Sequence, residues 1–207
     1  MSQGPFSDAI EYFEALWEAA LRRANSCNVS SAGAVSPFPK LGALVFLDIV
    51  RSTALFQAPH AQYPLNHMDL GMQNILADDQ SNFLAVIDWE FAQTAPWQVN
   101  HYAMPFPLLW PDERINSILN DPHHLAHENI SRQALSRQLY RGQFQDAEAR
   151  LYQEGLHLGG GFTEALESAA SRIRACFCRL GNSSDQDEGL VCEMVRLAFE
   201  SDAETVR

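Results

Sequence analysis

From Phe6 to Asn25 apolar residues recur at helical spacing. Ile10, Phe13, Leu16, Trp17, Ala20, Leu21 and Ala24 share one stripe, with Glu11, Glu14, Glu18, Arg22 and Arg23 mostly elsewhere. The pattern predicts an amphipathic helix. Ser7 or Asp8 is placed to cap it, because a short oxygen-bearing side chain accepts from the free backbone donors of the first turn. Ser, Asn, Gly and Pro between Asn25 and Pro39 mark a loop. From Leu41 to Phe56 the apolar positions are too dense for a surface strand and run too long for a typical one. A mostly buried helix is expected there, ended by Ala58-Pro59.

The period changes between Tyr63 and Ala92. Two short apolar stretches, Asn74-Ile75-Leu76 and Phe83-Leu84-Ala85-Val86-Ile87, flank the polar run Asp78 to Asn82, which predicts a hairpin around an acidic turn. Pro96, Pro105, Pro107, Pro111 and Pro122 then punctuate a loop-rich stretch. Helical spacing returns at about Ile130 to Glu154, Thr163 to Leu180 and Gly189 to Phe199, with breaks at Gly159-Gly160-Gly161 and from Gly181 to Asp187. No internal repeat or low-complexity tract interrupts this order. The expected architecture is one domain over residues 1–207, mainly α with a small β hairpin (α+β). It divides into leading helices over 6–58, the hairpin unit over 63–92, a loop-rich segment over 93–128 and C-terminal helices over 129–203.

Composition narrows the function classes. Hydrophobic residues make up 46% of the 207 residues and charged residues 19%, which supplies a core and excludes a wholly disordered chain. Lys and Arg number 14 against 26 Asp and Glu, a formal charge of -12 with no basic run, so a nucleic-acid partner is not expected. Met1 to Ile10 lacks the basic start and apolar stretch of an export signal. The longest apolar tract, Leu41 to Leu47, is far short of the roughly 20 residues of a spanning helix. An intracellular, cytoplasmic chain without a membrane span is the expectation. Cys27, Cys176, Cys178 and Cys192 have neither CxxC spacing nor the number for a disulfide scaffold, and read as buried thiols.

His67, Asp69, Asn74 and Asp88 carry the candidate chemistry. Asn74 stands five positions after Asp69, and Asp88 fourteen after Asn74. Phosphoryl transfer from a nucleotide asks little covalent help of the protein. It needs a carboxylate near the attacking hydroxyl and oxygen ligands for magnesium, which commonly takes only one or two from the protein. Asp69 suits the first role, Asn74 and Asp88 the second.

His67-Met68-Asp69-Leu70 with Asn74-Ile75-Leu76, followed by Val86-Ile87-Asp88-Trp89-Glu90-Phe91, resembles the aminoglycoside phosphotransferase and choline kinase-like branch of the protein-kinase fold, in particular its fungal members. The resemblance covers roughly Phe6 to Leu109. It implies the C-terminal lobe of a kinase-like fold, ATP and Mg2+ as cofactors, and a small-molecule hydroxyl as acceptor, whose identity it leaves open. By the same resemblance Asp69 is the catalytic base or hydroxyl-orienting group, Asn74 and Asp88 bind the metal ions that bridge the nucleotide phosphates, and His67 supports the loop.

Two departures accompany the match. Met68 stands where the related families usually carry Gly or Arg, and Gly71-Met72-Gln73 replaces their usual filling. No Gly-rich loop precedes the motif, and the single lysine, Lys40, stands at an expected helix start rather than in a strand, so the N-terminal lobe of the fold is expected to be missing. One preorganised donor is typically worth about 2.7 to 4 kcal/mol of transition-state stabilisation. A truncated, weakly active phosphotransferase is therefore expected. The alternative is a catalytically silent interaction module; under the first reading the face left uncovered by the missing lobe would favour self-association.

Other clusters read more plainly. His123, His124 and His127 resemble a metal set but lack the HExxH order and follow Pro122, so a surface cluster is expected. Trp97, Tyr102, Phe106 and Trp110 read as core packing beside prolines. Asp185, Asp187, Glu188, Glu193, Glu200, Asp202 and Glu204 read as a solvated helix face, or by resemblance as a cation-binding wall. A metal-dependent hydrolase using His67, Asp69 and Asp88 would want more converging ligands than this window supplies.

Overall fold

A computed structural model describes residues 4–27, 36–57, 63–99, 110–156 and 168–199. Among these the fold is mostly helical with two small antiparallel β ladders, an α+β arrangement. The first helix, α1 (Ala9–Cys27), is fixed at its start by Asp8, whose Oδ1 accepts from Glu11 N at 2.9 Å, while the Glu11 carboxylate reaches back to Ser7 N at 2.6 Å. This is the reciprocal logic of a capping box, shifted by one residue on the return bond.

Helix α2 (Phe38–Ser52) stops earlier than Ala58-Pro59, which lie outside the described residues. Ser52 Oγ and Thr53 Oγ1 donate to the Asp48 and Ile49 carbonyls at 2.6 and 2.8 Å, and Thr53 turns to extended backbone. Side-chain hydroxyls thus satisfy the last carbonyls and release the chain. A single 3-10 turn, Ala54–Phe56, then drives Phe56 into the core. The helix is not mostly buried: Gly42, Ala43, Phe46, Ile49 and Val50 face inward, whereas Leu41 and Leu44 are exposed.

Two later helices, α5 (Ala169–Arg179) and α6 (Asp187–Phe199), complete a bundle with α1 and α2. Its centre is aromatic. Phe46 stacks flat on Phe177 with centroids 3.9 Å apart, and Phe13 and Phe56 meet it edge-on at 6.2 and 5.6 Å. Ile49, Ile173 and Met194, fully buried, fill the remainder. Gly42 is where α2 passes the turn between α5 and α6. A Cβ there would stand 2.4 Å from Leu180 Cδ1 and 3.0 Å from Val191 Cγ2, so a methyl would force the Leu180 side chain to move.

The segment expected to be a loop over 93–128 contains a helix, α3 (Asp112–Leu119), entered from Pro111 with Asp112 and Glu113 in its first turn. Such acidic residues suit the positive end of a helix. It packs on α4 (His127–Gln153), and Ile115, Ile118 and Ile130 form a second, smaller core. Arg114 lies over the Trp110 ring at 4.1 Å. Trp97 packs against the main core, as expected, while Tyr102 and Phe106 lie outside the described residues.

The acidic C-terminal face is not simply solvated. Glu193 is fully buried and takes Arg196 Nε at 2.8 Å on Oε2 and Arg172 at 3.0 Å on Oε1. Arg172 also donates to the Trp110 carbonyl at 2.9 Å and to Asp112 at 3.1 Å, which ties α3 to α5 and α6. The hydrogen bonds from Arg196 to Glu193 raise the Arg196 pKa further. A cation-binding wall at Glu193 is thereby excluded, since its oxygens are occupied by the chain's own guanidinium groups. Glu200, Asp202 and Glu204 lie outside the described residues.

Of the cysteines, Cys176 is buried, Cys192 half-buried and Cys178 exposed, so the expectation of buried thiols fails at Cys178. Among the described residues no helix is long and apolar enough to cross a membrane.

Candidate functional site

The motif residues sit on a closed excursion from the bundle. Strand β1 (Leu65–Asn66) pairs antiparallel with β4 (Gln93–Thr94), Leu65 opposite Thr94. Between them β2 (Ile75–Ala77) and β3 (Phe83–Val86) form the hairpin expected from the sequence, Ile75 opposite Val86. Its acidic turn is stitched by Asp78. Oδ1 accepts from Gln80 N at 2.9 Å and Asn82 N at 2.8 Å, and Oδ2 from Asn82 Nδ2 at 2.9 Å. The bonds from Asn82, side chain first, hold the Asp78 carboxyl below the usual carboxylate range.

The ladders are fastened to the helices by amides. Gln93 Nε2 donates to Tyr12 Oη on α1 at 3.3 Å, and the buried Gln98 donates to the Leu55 carbonyl at 3.3 Å. Ala95 and Val99 enter the main core just beyond β4. The base of the excursion is therefore anchored, whereas Asp69 and Asp88 are exposed.

Two hydrogen bonds join the two halves of the motif and a third closes the first half on itself. His67 Nε2 donates to the Ile87 carbonyl at 2.8 Å, Ile87 N donates to the Asn74 carbonyl at 2.9 Å, and Asn74 Nδ2 donates to the Asp69 carbonyl at 2.8 Å. His67 and Asn74 are buried, so these bonds are shielded from water. The first fixes the His67 proton on Nε2, because a carbonyl only accepts. The His67 ring also meets Trp89 edge-on at 4.8 Å, and Trp89 Nε1 donates to the Val86 carbonyl at 2.8 Å. His67 thus links the strand before the loop to the backbone at the end of β3.

Backbone conformation sets the aim of the two acids. Met68 has φ +65° and Asp88 φ +64°, both left-handed. Such geometry costs an L-residue roughly 1–2 kcal/mol. Asp tolerates it through its short polar side chain, whereas Met has no such compensation. The turn at Met68 leads the chain from buried His67 to exposed Asp69, and the turn at Asp88 leads it away from half-buried Val86.

The Asn74 carbonyl accepts from Ile87 N, the residue before Asp88, which brings the backbones of Asn74 and Asp88 near one another at the open end of the hairpin. Asn74 Nδ2 is spent on the Asp69 carbonyl, and the Asn74 amide oxygen and the Asp88 carboxylate are both hard donors of the type that suits magnesium. Among the described residues neither Asp69 nor Asp88 is held in an ion pair.

The competing metal sites do not form. Among the described residues no three His, Cys, Asp or Glu side chains converge as a metal site. His67 offers its Nε2 to a carbonyl rather than to a metal shared with Asp69 and Asp88. His127 faces the Leu119 carbonyl at 3.3 Å, and His124 Nδ1 accepts from Ala126 N at 3.0 Å, each satisfied by its own loop. Sequence reasoning missed Trp89 as a partner of His67 and the backbone of Ile87 as the link between the motif halves. Compared with models of protein families, with curated proteins and with solved structures, the chain matches none.

Proposed function

We propose that this chain carries the catalytic loop and metal-binding hairpin of an aminoglycoside phosphotransferase-like or choline kinase-like protein, the C-terminal lobe of that fold. The observation that carries the reading is the three-bond relay through His67, Ile87, Asn74 and Asp69. It supports the reading by tying the backbone before Asp88 to Asn74 and the Asn74 amide to the backbone of Asp69, both acids being exposed. In this reading the acceptor hydroxyl approaches Asp69, which takes its proton as the oxygen bonds to the γ-phosphorus of ATP and the bond to ADP breaks. Asn74 and Asp88 would hold Mg2+, which when bound neutralises charge on the phosphates. Lys40, the single lysine, lies in the first turn of α2 and is exposed, so it adds no phosphate contact at the hairpin in this proposal.

Calorimetry with ATP in the presence and absence of Mg2+ tests the binding half. Submillimolar affinity that needs Mg2+ and falls at least tenfold in Asp88→Asn is expected. ATP affinity indifferent to both would remove the proposal. Asp69→Asn is expected to keep ATP affinity within about threefold while ADP formation is lost.

A second reading, the interaction module, is favoured by the exposure of Phe83, Leu84, Trp89 and Phe91 on the hairpin and the turn after it. Apolar surface of this extent marks a contact site, and an isolated two-stranded hairpin is marginal alone. Self-association through it would appear as a dimer in sedimentation velocity, dispersed by Phe83→Ser with Leu84→Ser. A sharp monomer at about 100 µM wild-type protein would refute it.

A further inference from the structure

The β2–β3 hairpin exposes apolar side chains on both of its faces. Phe83 and Leu84 are 66% and 61% exposed, and Ile75 and Leu76 on the partner strand are exposed too. Neighbouring residues of a strand point to opposite faces, so a flat partner would cover one apolar face and leave the other in water. A cleft covers both. The excursion that carries the hairpin is also of one sign: from Leu65 to Thr94 it holds Asp69, Asp78, Asp79, Asp88 and Glu90 and no Lys or Arg.

A cleft of the opposite character lies elsewhere on the chain. It is a groove of about 1050 Å³ between the second half of α1, the start of α2 and the turn joining α5 to α6. Small-molecule clefts run to roughly 1,000 Å³, so the groove has room for a peptide segment. Leu16, Ala20, Leu41 and Leu44 give it apolar walls, and of these Leu41 and Leu44 are exposed and lie outside the main core. Its exposed charged side chains are Arg23 and Lys40, neither of them in an ion pair among the described residues. No residue of the chain's own hairpin lines it. The excursion follows the end of α2 and the groove flanks its start, and 15 residues at 1.5 Å each make that helix about 22 Å long.

We propose that the groove receives the β2–β3 hairpin of a second copy of this chain, with Phe83 and Leu84 between the apolar walls and the hairpin's acids toward Arg23 and Lys40. The inference rests on the interaction-module reading and names the surface that faces the hairpin. Hairpin against hairpin would set five acids against five, and at a formal charge of -12 two copies repel overall. Like charges placed together select against that arrangement, whereas an acidic hairpin and a basic groove select each other. A contact between unlike patches closes on itself when two copies exchange hairpins, and otherwise runs on as a chain of copies.

Sedimentation velocity on separately silenced chains tests it. Phe83→Ser with Leu84→Ser removes the hairpin surface, Leu41→Ser with Leu44→Ser removes the groove walls, and Arg23→Gln with Lys40→Gln removes only the groove's charge. All six positions are exposed, and melting curves like that of wild type would exclude unfolding as the cause of any loss. Wild type is expected to associate. Each serine variant alone should be monomeric at the same concentration, and an equimolar mixture of the two should recover a dimer, because each supplies the surface that the other lacks. The glutamine variant, which removes no packing and so keeps the test if a serine variant unfolds, should weaken association roughly threefold or more. A mixture that stays monomeric would overturn the proposal, as would groove variants that associate like wild type. If the hairpin variant alone is dispersed in that last case, the hairpin remains a contact site and only its seat is wrong. A monomeric wild type would remove both.

Discussion

Cys176 and Cys178 lie two positions apart on α5 and meet opposite environments. Burial, aided by the nearby Glu193 carboxylate, pushes the Cys176 thiol up to about 12 from 9.0. Cys178 is exposed at the edge of the groove. A maleimide is expected to modify Cys178 in the native protein and Cys176 only after unfolding, which mass spectrometry of the labelled peptides would read. Because the folded value is the higher one, the thiol's contribution is complete below about pH 9 and is lost as the pH climbs toward 12. At 1.36 kcal/mol per unit the full loss is about 4 kcal/mol. Urea unfolding at pH 8 and pH 10 should show the first part of that decline, and Cys176→Ala should flatten it. Above pH 10 Tyr12, also raised by burial, acts in the same direction. At this scale the site was legible in part. The spacing of Asp69, Asn74 and Asp88 marks them, but the Ile87 carbonyl and amide that join them are present in any residue and leave no trace in sequence.

The long elements follow from periodicity, with α1, α4 and α6 each within three residues of the expected bounds, whereas α5 starts at Ala169, six positions after the expected Thr163, where Ser168 caps it. Short ones do not. Strands β1 and β4 have two residues each, too few to show an alternation, and exist because Ala95 N reaches the Pro64 carbonyl and Ala95 is drawn into the core. Helix α3 was hidden by prolines, since Pro111 reads as a break although it stands just before the first turn, where no backbone donor is needed. Gly42 gives the clearest test of packing between elements. Alanine ordinarily strengthens a helix interior by up to about 1 kcal/mol, but here the added methyl would overlap Leu180 and Val191. Overpacking typically costs about 1–3 kcal/mol. Gly42→Ala is expected to lower the melting temperature by several degrees, and a stabilised variant would show that α2 is not held against the α5–α6 turn as described.

Across the whole molecule the two cores are joined through charge. Arg172 touches Glu193, Asp112 and the Trp110 carbonyl, so one guanidinium spans three helices. A row of acids near the C-terminus reads as surface because sequence does not reveal which carboxylate has arginines from two helices closing over it. Removing one partner of a buried pair typically costs about 3–5 kcal/mol, as the other is left uncompensated. Glu193→Ala should therefore destabilise the chain by an amount of that order in urea titration, while the same change at exposed Glu188 should stay within about 0.5 kcal/mol. Equal effects would mean that the Arg172 junction contributes nothing.

The excursion from Leu65 to Thr94 leaves and rejoins the bundle at adjacent points, because its first and last strands are partners. Whatever happens at its far tip, residues Asp79 to Ser81, is therefore insulated from the helical scaffold. Evolution or an engineer can lengthen, shorten or graft cargo onto that tip without moving the stem, much as a branch is regrown from an intact fork.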